Sequence, residues 1–200
     1  MMKIVSRDII GVLAYLLIPI VGLLFLGWRW QEIMFLYWLE NISVGAVNIV
    51  KMVRAPRSDA EVSKNFFIPF FMMHYGAFTF GHGILLMVVT TLPFAGPRVS
   101  INFSSILWPW VVVLVAKVMA SIFGKAPNKT AGQLLFAPYA RIVPLHASLL
   151  LGMKIAMEDG ISSAFAYLLV LIHALIDLTS LLVQRWNNRE QLDRVARTPF

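Results

Sequence analysis

All four histidines of this chain, His74, His82, His146 and His173, lie inside apolar runs, and so do Glu40, Lys117, Arg141 and Asp177. An ionisable side chain at the middle of a bilayer costs about 2.5–3.5 kcal/mol on insertion scales, so it has a partner or a purpose. Imidazole and carboxylate together suit zinc, iron or manganese. The first expectation is therefore a divalent-metal site with His74, His82, His146 and Glu40 as ligands, a centre able to support enzymatic chemistry. His173 and Asp177 are four residues apart and share a helix face. There the carboxylate would accept the imidazole N–H and fix its tautomer, as metal-bound and catalytic histidines are often held. The alternative for that pair is that Asp177 neutralises Lys117 or Arg141 and His173 packs nearby.

Other chemistries fit less well. A single haem b needs two histidines on facing helices at one height, for example His82 or His74 with His146 or His173. Two stacked haems would need ligands much farther apart on one helix than the eight residues between His74 and His82. A serine hydrolase would use Ser148 and His173, but the chain reads His146-Ala147-Ser148-Leu149 and has no Gly-x-Ser-Gly. A small proton- or ion-coupled transporter would use Glu40, Asp177, Lys117 and the histidines as a path, although no inverted repeat is visible. A structural or partner-binding membrane protein would use the same groups only as interhelical hydrogen bonds, each worth about 0.6 kcal/mol. With no cysteine there is no disulfide, thiolate site, iron–sulfur cluster or cysteine nucleophile.

The elements that must position these groups are membrane spans. Of 200 residues 59% are hydrophobic and 14% charged, and the charges cluster between apolar runs. Soluble domains are about 45–50% apolar. The expected fold is all-α: one polytopic membrane domain of six transmembrane helices, at about 9–27, 33–50, 66–92, 106–123, 137–153 and 161–183. The first, 19 residues without a charge, is long enough for a hydrocarbon core of about 30 Å, and the fifth, interrupted by Pro138, Arg141 and Pro144, can be broken or re-entrant. A basic tail, 184–200, follows. The first run is too long for a cleaved signal and no small-residue cleavage site follows it, so it reads as an uncleaved span. Trp28 and Trp30 would mark the membrane interface.

Within the third span Tyr75, Thr79 and His82 fall on one stripe, with His74 about 80° to one side. Ala77 and Gly81 form a small-xxx-small pair that would let helices approach. In the second span Glu40, Val44, Val47 and Lys51 share one face, and Asn41, Gly45 and Asn48 the next. By distance from the span ends, Glu40 and His82 fall in the outer half and His146 and His173 near the middle. His74, Lys117 and Asp177 fall toward the cytoplasmic half, with Arg141 near its edge.

The formal charge of +7 would suggest nucleic acid in a soluble protein. Here topology accounts for it, and no nucleic-acid partner is expected. With both termini inside, the cytoplasmic side holds Lys3, Arg7, Lys51, Arg54, Arg57, Lys64, Lys125, Lys129, Arg185, Arg189, Arg194 and Arg197, against Arg29, Arg98 and Lys154 outside. The expected environment is a lipid bilayer, most simply the prokaryotic cytoplasmic membrane, with anionic headgroups beside the basic face.

Three stretches carry a resemblance: Tyr37-Trp38-Leu39-Glu40-Asn41, His74-Tyr75-Gly76-Ala77-Phe78-Thr79-Phe80-Gly81-His82-Gly83, and Pro138-Tyr139-Ala140-Arg141-Ile142 leading to His146. Across about Ile9 to Val183 the chain is similar to an uncharacterised bacterial and archaeal multi-pass membrane family, known only as a domain of unknown function (number 6498). The resemblance implies a polytopic fold with polar residues at Glu40, Asn41, His74, His82, Arg141 and His146. It implies no reaction.

Overall fold

The structure, a computed structural model, describes residues 17–56, 64–91, 101–139 and 165–175, together with 142, 143, 146, 147, 150, 151, 154, 178, 179 and 182. Every regular element among them is a helix. Residues 17–25 are helical, followed by α1 (Trp30–Arg54), α2 (Lys64–Thr91), α3 (Phe103–Phe123), the short α4 (Ala131–Leu134) and a helix at Phe165–Leu175. Three helices, α1, α2 and α3, are long and apolar enough to cross a membrane. At 1.5 Å per residue the 25 residues of α1 reach about 37 Å, more than a hydrocarbon core. The remaining expected spans and the tail fall wholly or partly outside the described residues.

Helix starts follow local chemistry. Glu32, in the first turn of α1, accepts the backbone N–H of Arg29 at 3.0 Å. Asn102 Oδ1 accepts Ser105 N–H at 3.3 Å at the start of α3. Thr130 and Gln133 form a reciprocal capping box on α4. Gly27 links the first helix to α1 with φ of 66°, a left-handed conformation that glycine adopts without a Cβ penalty.

Helix ends gather by charge. Arg54 at the end of α1 donates to the carbonyls of Ser121 and Gly124 at the end of α3, the latter at 2.7 Å. Lys64 at the start of α2 donates to the carbonyls of Val53 and Ala55. Cations there satisfy carbonyls left without helical partners and complement the helix dipole. So α1 and α3 run the same way, α2 runs against them, and all three have an end at one basic face. The opposite end is aromatic. Trp28 Nε1 donates to Ser105 Oγ at 3.1 Å, and the rings of Phe35 and Phe103 meet edge-on at 5.4 Å. Trp28 and Trp30, expected as interfacial markers, lie at that end and are buried in its core, because neighbouring helices cover them.

Two apolar clusters fill the interior, one at each end. The aromatic-end cluster takes Ile33 to Leu39 of α1, Leu86 and Val89 of α2, Ile106 of α3 and Phe165 to Val170 of the last helix. The basic-end cluster takes Met52 of α1, Phe71 and Tyr75 of α2, and Ala131 and Leu134 of α4. Between them in sequence, buried, come Glu40, Asn41, Ser43 and Asn48 on α1 and Thr79 and His82 on α2, with His173 one turn beyond Val170. The molecule therefore has a polar layer at mid-height between two oily ones.

The helices of that layer are joined by aromatic donors. Trp38 of α1 lies over Gly83 of α2 and donates its indole N–H to Thr79 O at 2.8 Å. Tyr75 of α2 lies over Gly45 of α1 and donates its hydroxyl to Asn41 O at 2.9 Å. Each ring thus covers a glycine and bonds the carbonyl four residues before it, once in each direction, a reciprocal clasp. A Cβ at Gly83 would fall 2.7 Å from Trp38, and one at Gly45 2.5 Å from Tyr75. The expected approach at Gly81 is not seen among the described residues: none of them lies within 4 Å of a Cβ there, and the contact is made two residues later, at Gly83, where the helix turns toward α1. Trp110 of α3 adds a third donor, to Leu39 O at 2.7 Å and Ser43 Oγ at 2.8 Å.

Candidate functional site

The polar layer holds two histidine sites. The first is built on Glu40, which α1 carries at 2% exposure. His173 reaches it from the last helix, Nε2 to Oε2 at 2.9 Å. Lys117 reaches it from α3, Nζ to Oε1 at 3.9 Å. Tyr37, three residues before Glu40 and so on the same side of α1, stacks on the His173 ring at 3.9 Å between centroids and 8° between planes. The ring stack fixes the imidazole plane, and the carboxylate fixes which edge points inward. An ionised Glu40, a neutral His173 donating from Nε2, and a charged Lys117 sum to zero, the form in which a buried charge is tolerable.

The second site pairs His82 of α2 with His146, their rings 4.4 Å apart and inclined at 74°. His82 Nε2 faces His146 Nδ1 within hydrogen-bond reach. His82 Nδ1 meets Phe78 O at 2.8 Å. A carbonyl only accepts, so the hydrogen of a neutral His82 is on Nδ1. Its Nε2 is then a bare acceptor, and His146 Nδ1 is the donor. His82 is buried and His146 half-buried.

The stripe read from the sequence holds: Tyr75, Thr79 and His82 are 4%, 8% and 7% exposed, and His74 beside it is exposed. His74 stacks on Phe70 at 5.6 Å and leans on Tyr139 at 5.9 Å. The four expected metal ligands are therefore divided. His82 and His146 meet, Glu40 binds His173 instead, and His74 sits about 12 Å along the helix from His82, two turns away. No group of three or more metal-ligating side chains forms among the described residues. Asp177 and Arg141 lie outside the described residues, as does Ser148. Of the remaining polar positions, Asn41 serves through its carbonyl, under Tyr75, and Asn48 Nδ2 donates to Leu134 O at 3.1 Å, tying α4 to α1.

Sequence reasoning missed the Glu40–His173 partnership because the two are 133 residues apart and a same-helix carboxylate for His173 was at hand in Asp177. It also missed Tyr37, Trp38 and Trp110. Tyr37 alone left a local signal, three positions before a carboxylate inside a span.

Residues 3–194 match the model of a family of unknown function, DUF6498, and the chain belongs to that family. No curated protein matches it. No solved structure matches it either.

Proposed function

We propose that this member of the family is an integral membrane protein, crossing the bilayer several times with its basic helix ends on the cytoplasmic side, and that its working centre is an intramembrane acid–base pair, Glu40 and His173, which takes up and releases one proton. The observation that carries the reading is Glu40 itself: a carboxylate 2% exposed, within an apolar helix long enough to span, held at 2.9 Å by an imidazole and approached by an ammonium at 3.9 Å. A purely structural hydrogen bond at this depth needs no charge. Here three ionisable groups from three helices converge, at the desolvation cost that a buried ion pair carries.

Lys117 is the variable member. It comes from α3, in which Ile106 alone is buried, whereas α1 is buried along most of its length. Its side chain is 30% exposed, against 3% for Glu40. While Lys117 is close, the carboxylate charge is balanced. When it withdraws, the uncompensated charge is neutralised by a proton, since a group in a low-dielectric interior gives up its charge rather than bear the solvation loss. Displacement of α3 and protonation of Glu40 are thereby coupled. Support for the orientation comes from the basic end, where Arg54 and Lys64 join three helix ends beside Lys51, Lys125 and Lys129.

The test is infrared difference spectroscopy of the purified protein in lipid across a pH titration. A carboxylic-acid C=O band that rises on acidification, is lost in Glu40→Gln and moves in Lys117→Met is the expected result. Difference spectra of Glu40→Gln that superimpose on those of the unmodified protein would overturn the proposal.

A further inference from the structure

Lys117 balances Glu40 only while α3 stands at one height on α1. On the proton chemistry of Glu40, on which this rests, we infer that Trp110 is the positioning residue of that centre: its indole N–H pins α3 to α1 at the register from which Lys117 reaches Glu40. Trp110 Nε1 donates to Leu39 O at 2.7 Å and to Ser43 Oγ at 2.8 Å. The two acceptors come one residue before and three residues after Glu40. Ser43, fully buried, spends its own hydrogen on Leu39 O at 3.3 Å. It therefore offers the indole a lone pair. A slip of α3 leaves that buried acceptor unmet, at the desolvation cost such a group carries. The pin is directional, whereas apolar contact, as at Ile106, is not.

Lys117 follows Trp110 by seven residues. That is two turns, so both lie on one face of α3, with Lys117 about 10 Å nearer the basic end. Because α1 and α3 run the same way, the Lys117 backbone stands past Glu40. Its side chain reaches Glu40 by leaning back toward the helix start, the direction helical side chains take. Little slack remains: Nζ is 3.9 Å from Oε1, near the limit of an ion pair. A one-residue slip moves the ammonium about 1.5 Å along the axis and turns it about 100°. Pro109 makes the pin matter here. It lies inside α3 and lacks an N–H, so it removes a rung of the helix just before Trp110, where α3 bends most easily. Trp28 is the comparison. It also donates its indole N–H into α3, to Ser105 Oγ at 3.1 Å, but before Pro109. It holds the helix start rather than the segment that carries Lys117.

The experiment combines the infrared pH titration of Glu40 with a spin-label distance between Val53→Cys on α1 and Val112→Cys on α3. Both positions are exposed, and the chain has no cysteine of its own. Trp110→Phe keeps a ring and removes the N–H. Its carboxyl band should move in the same direction as in Lys117→Met, by at least half as much. Added to Lys117→Met, it should move the band no further, because the lysine through which it acts is gone. Ser43→Ala, which keeps the tryptophan and removes one acceptor, should give a smaller shift of the same sign. Trp28→Phe should leave the band in place. The label distance should shift or broaden in Trp110→Phe and not in Trp28→Phe. A band unmoved in Trp110→Phe, equal movement in Trp28→Phe, or a shift that adds to that of Lys117→Met would each overturn the inference. The two readouts separate its failure from that of the proton reading. Absence of any Glu40 band in the unmodified protein removes the proton chemistry. An unchanged label distance in Trp110→Phe removes the pin, whether or not Glu40 titrates.

Discussion

The two histidine sites lie in one polar layer and differ in what faces the imidazole. His173 faces a carboxylate on another helix, with an ammonium on the far side of that carboxylate. His82 faces a second imidazole and a backbone carbonyl, with no formal charge in the set. The residue type is the same, the layer is the same, and both rings are about as buried, at 8% and 7% exposure. What separates them is the partner carried in by a neighbouring helix. A carboxylate makes the imidazole half of a proton-sharing pair, whereas a second imidazole makes it half of a neutral donor set. The chemistry of a histidine inside a membrane protein is thus set across helices rather than along one.

The sharpest way to break this contrast is to remove the charge. Glu40→Ala should destabilise the protein by about 3 kcal/mol, the low end for breaking a buried pair, because it leaves the buried His173 without its acceptor and Lys117, itself 30% exposed, without its counter-charge. Thermal unfolding in detergent measures it. The paired replacement Glu40→Gln with Lys117→Met should cost less than Glu40→Ala, since no uncompensated charge remains. If it costs as much, the ammonium contributes nothing to the site and the contrast with the neutral pair fails.

Next in size is the clasp that keeps the two sites in register. Trp38, two residues before Glu40, is held over Gly83, one residue after His82. Gly83→Val, which places a side chain into the Trp38 ring, should cost about 1–3 kcal/mol from overpacking. Gly45→Val should do the same against Tyr75. Gly81→Val, facing open space, should fall well below both, and equal losses at Gly81 and Gly83 would sink the clasp. A smaller effect is expected at the neutral pair. His82→Ala removes the acceptor for His146 Nδ1 and should cost about 0.6–1.7 kcal/mol, the range for interhelical hydrogen bonds in membranes. The comparison is broken if His82→Ala proves as damaging as Glu40→Ala.

Much of this architecture could be read from residue order. Apolar runs delimited α1, α2 and α3 to within a few residues, because crossing a hydrocarbon layer demands length and apolarity, and both are local properties. The stripe of Tyr75, Thr79 and His82 followed from helical periodicity, as did the Asn41, Gly45 and Asn48 face of α1. That face turned out to be where Tyr75 and α4 dock. What could not be read was which face meets which helix. Glu40 seeks His173 rather than the other histidines because α1 turns that side toward the last helix and α3, and no local spacing encodes that rotation. Gly83 rather than Gly81 makes the close approach for the same reason. One residue on an α-helix is about 100° of rotation, so a two-residue difference moves a contact from the open side of the helix to a partner helix.

His74 gives the smallest effect and the most direct check on that rotation. It shares α2 with His82 and is the residue that a reading by type alone would group with it. The structure turns it outward, exposed, against Phe70 and Tyr139. Its contacts are ring faces, without a charge partner among the described residues, and aromatic pairs are worth about 0.5–1.5 kcal/mol beyond burial at most. Exposure and the looser separations of 5.6 and 5.9 Å place His74→Ala at the lower end of that range. Its unfolding temperature should therefore sit closer to that of the unmodified protein than that of His82→Ala. The opposite order would mean that α2 presents its other side to α1, and the clasp and both histidine sites would then have to be redrawn about a different helix rotation.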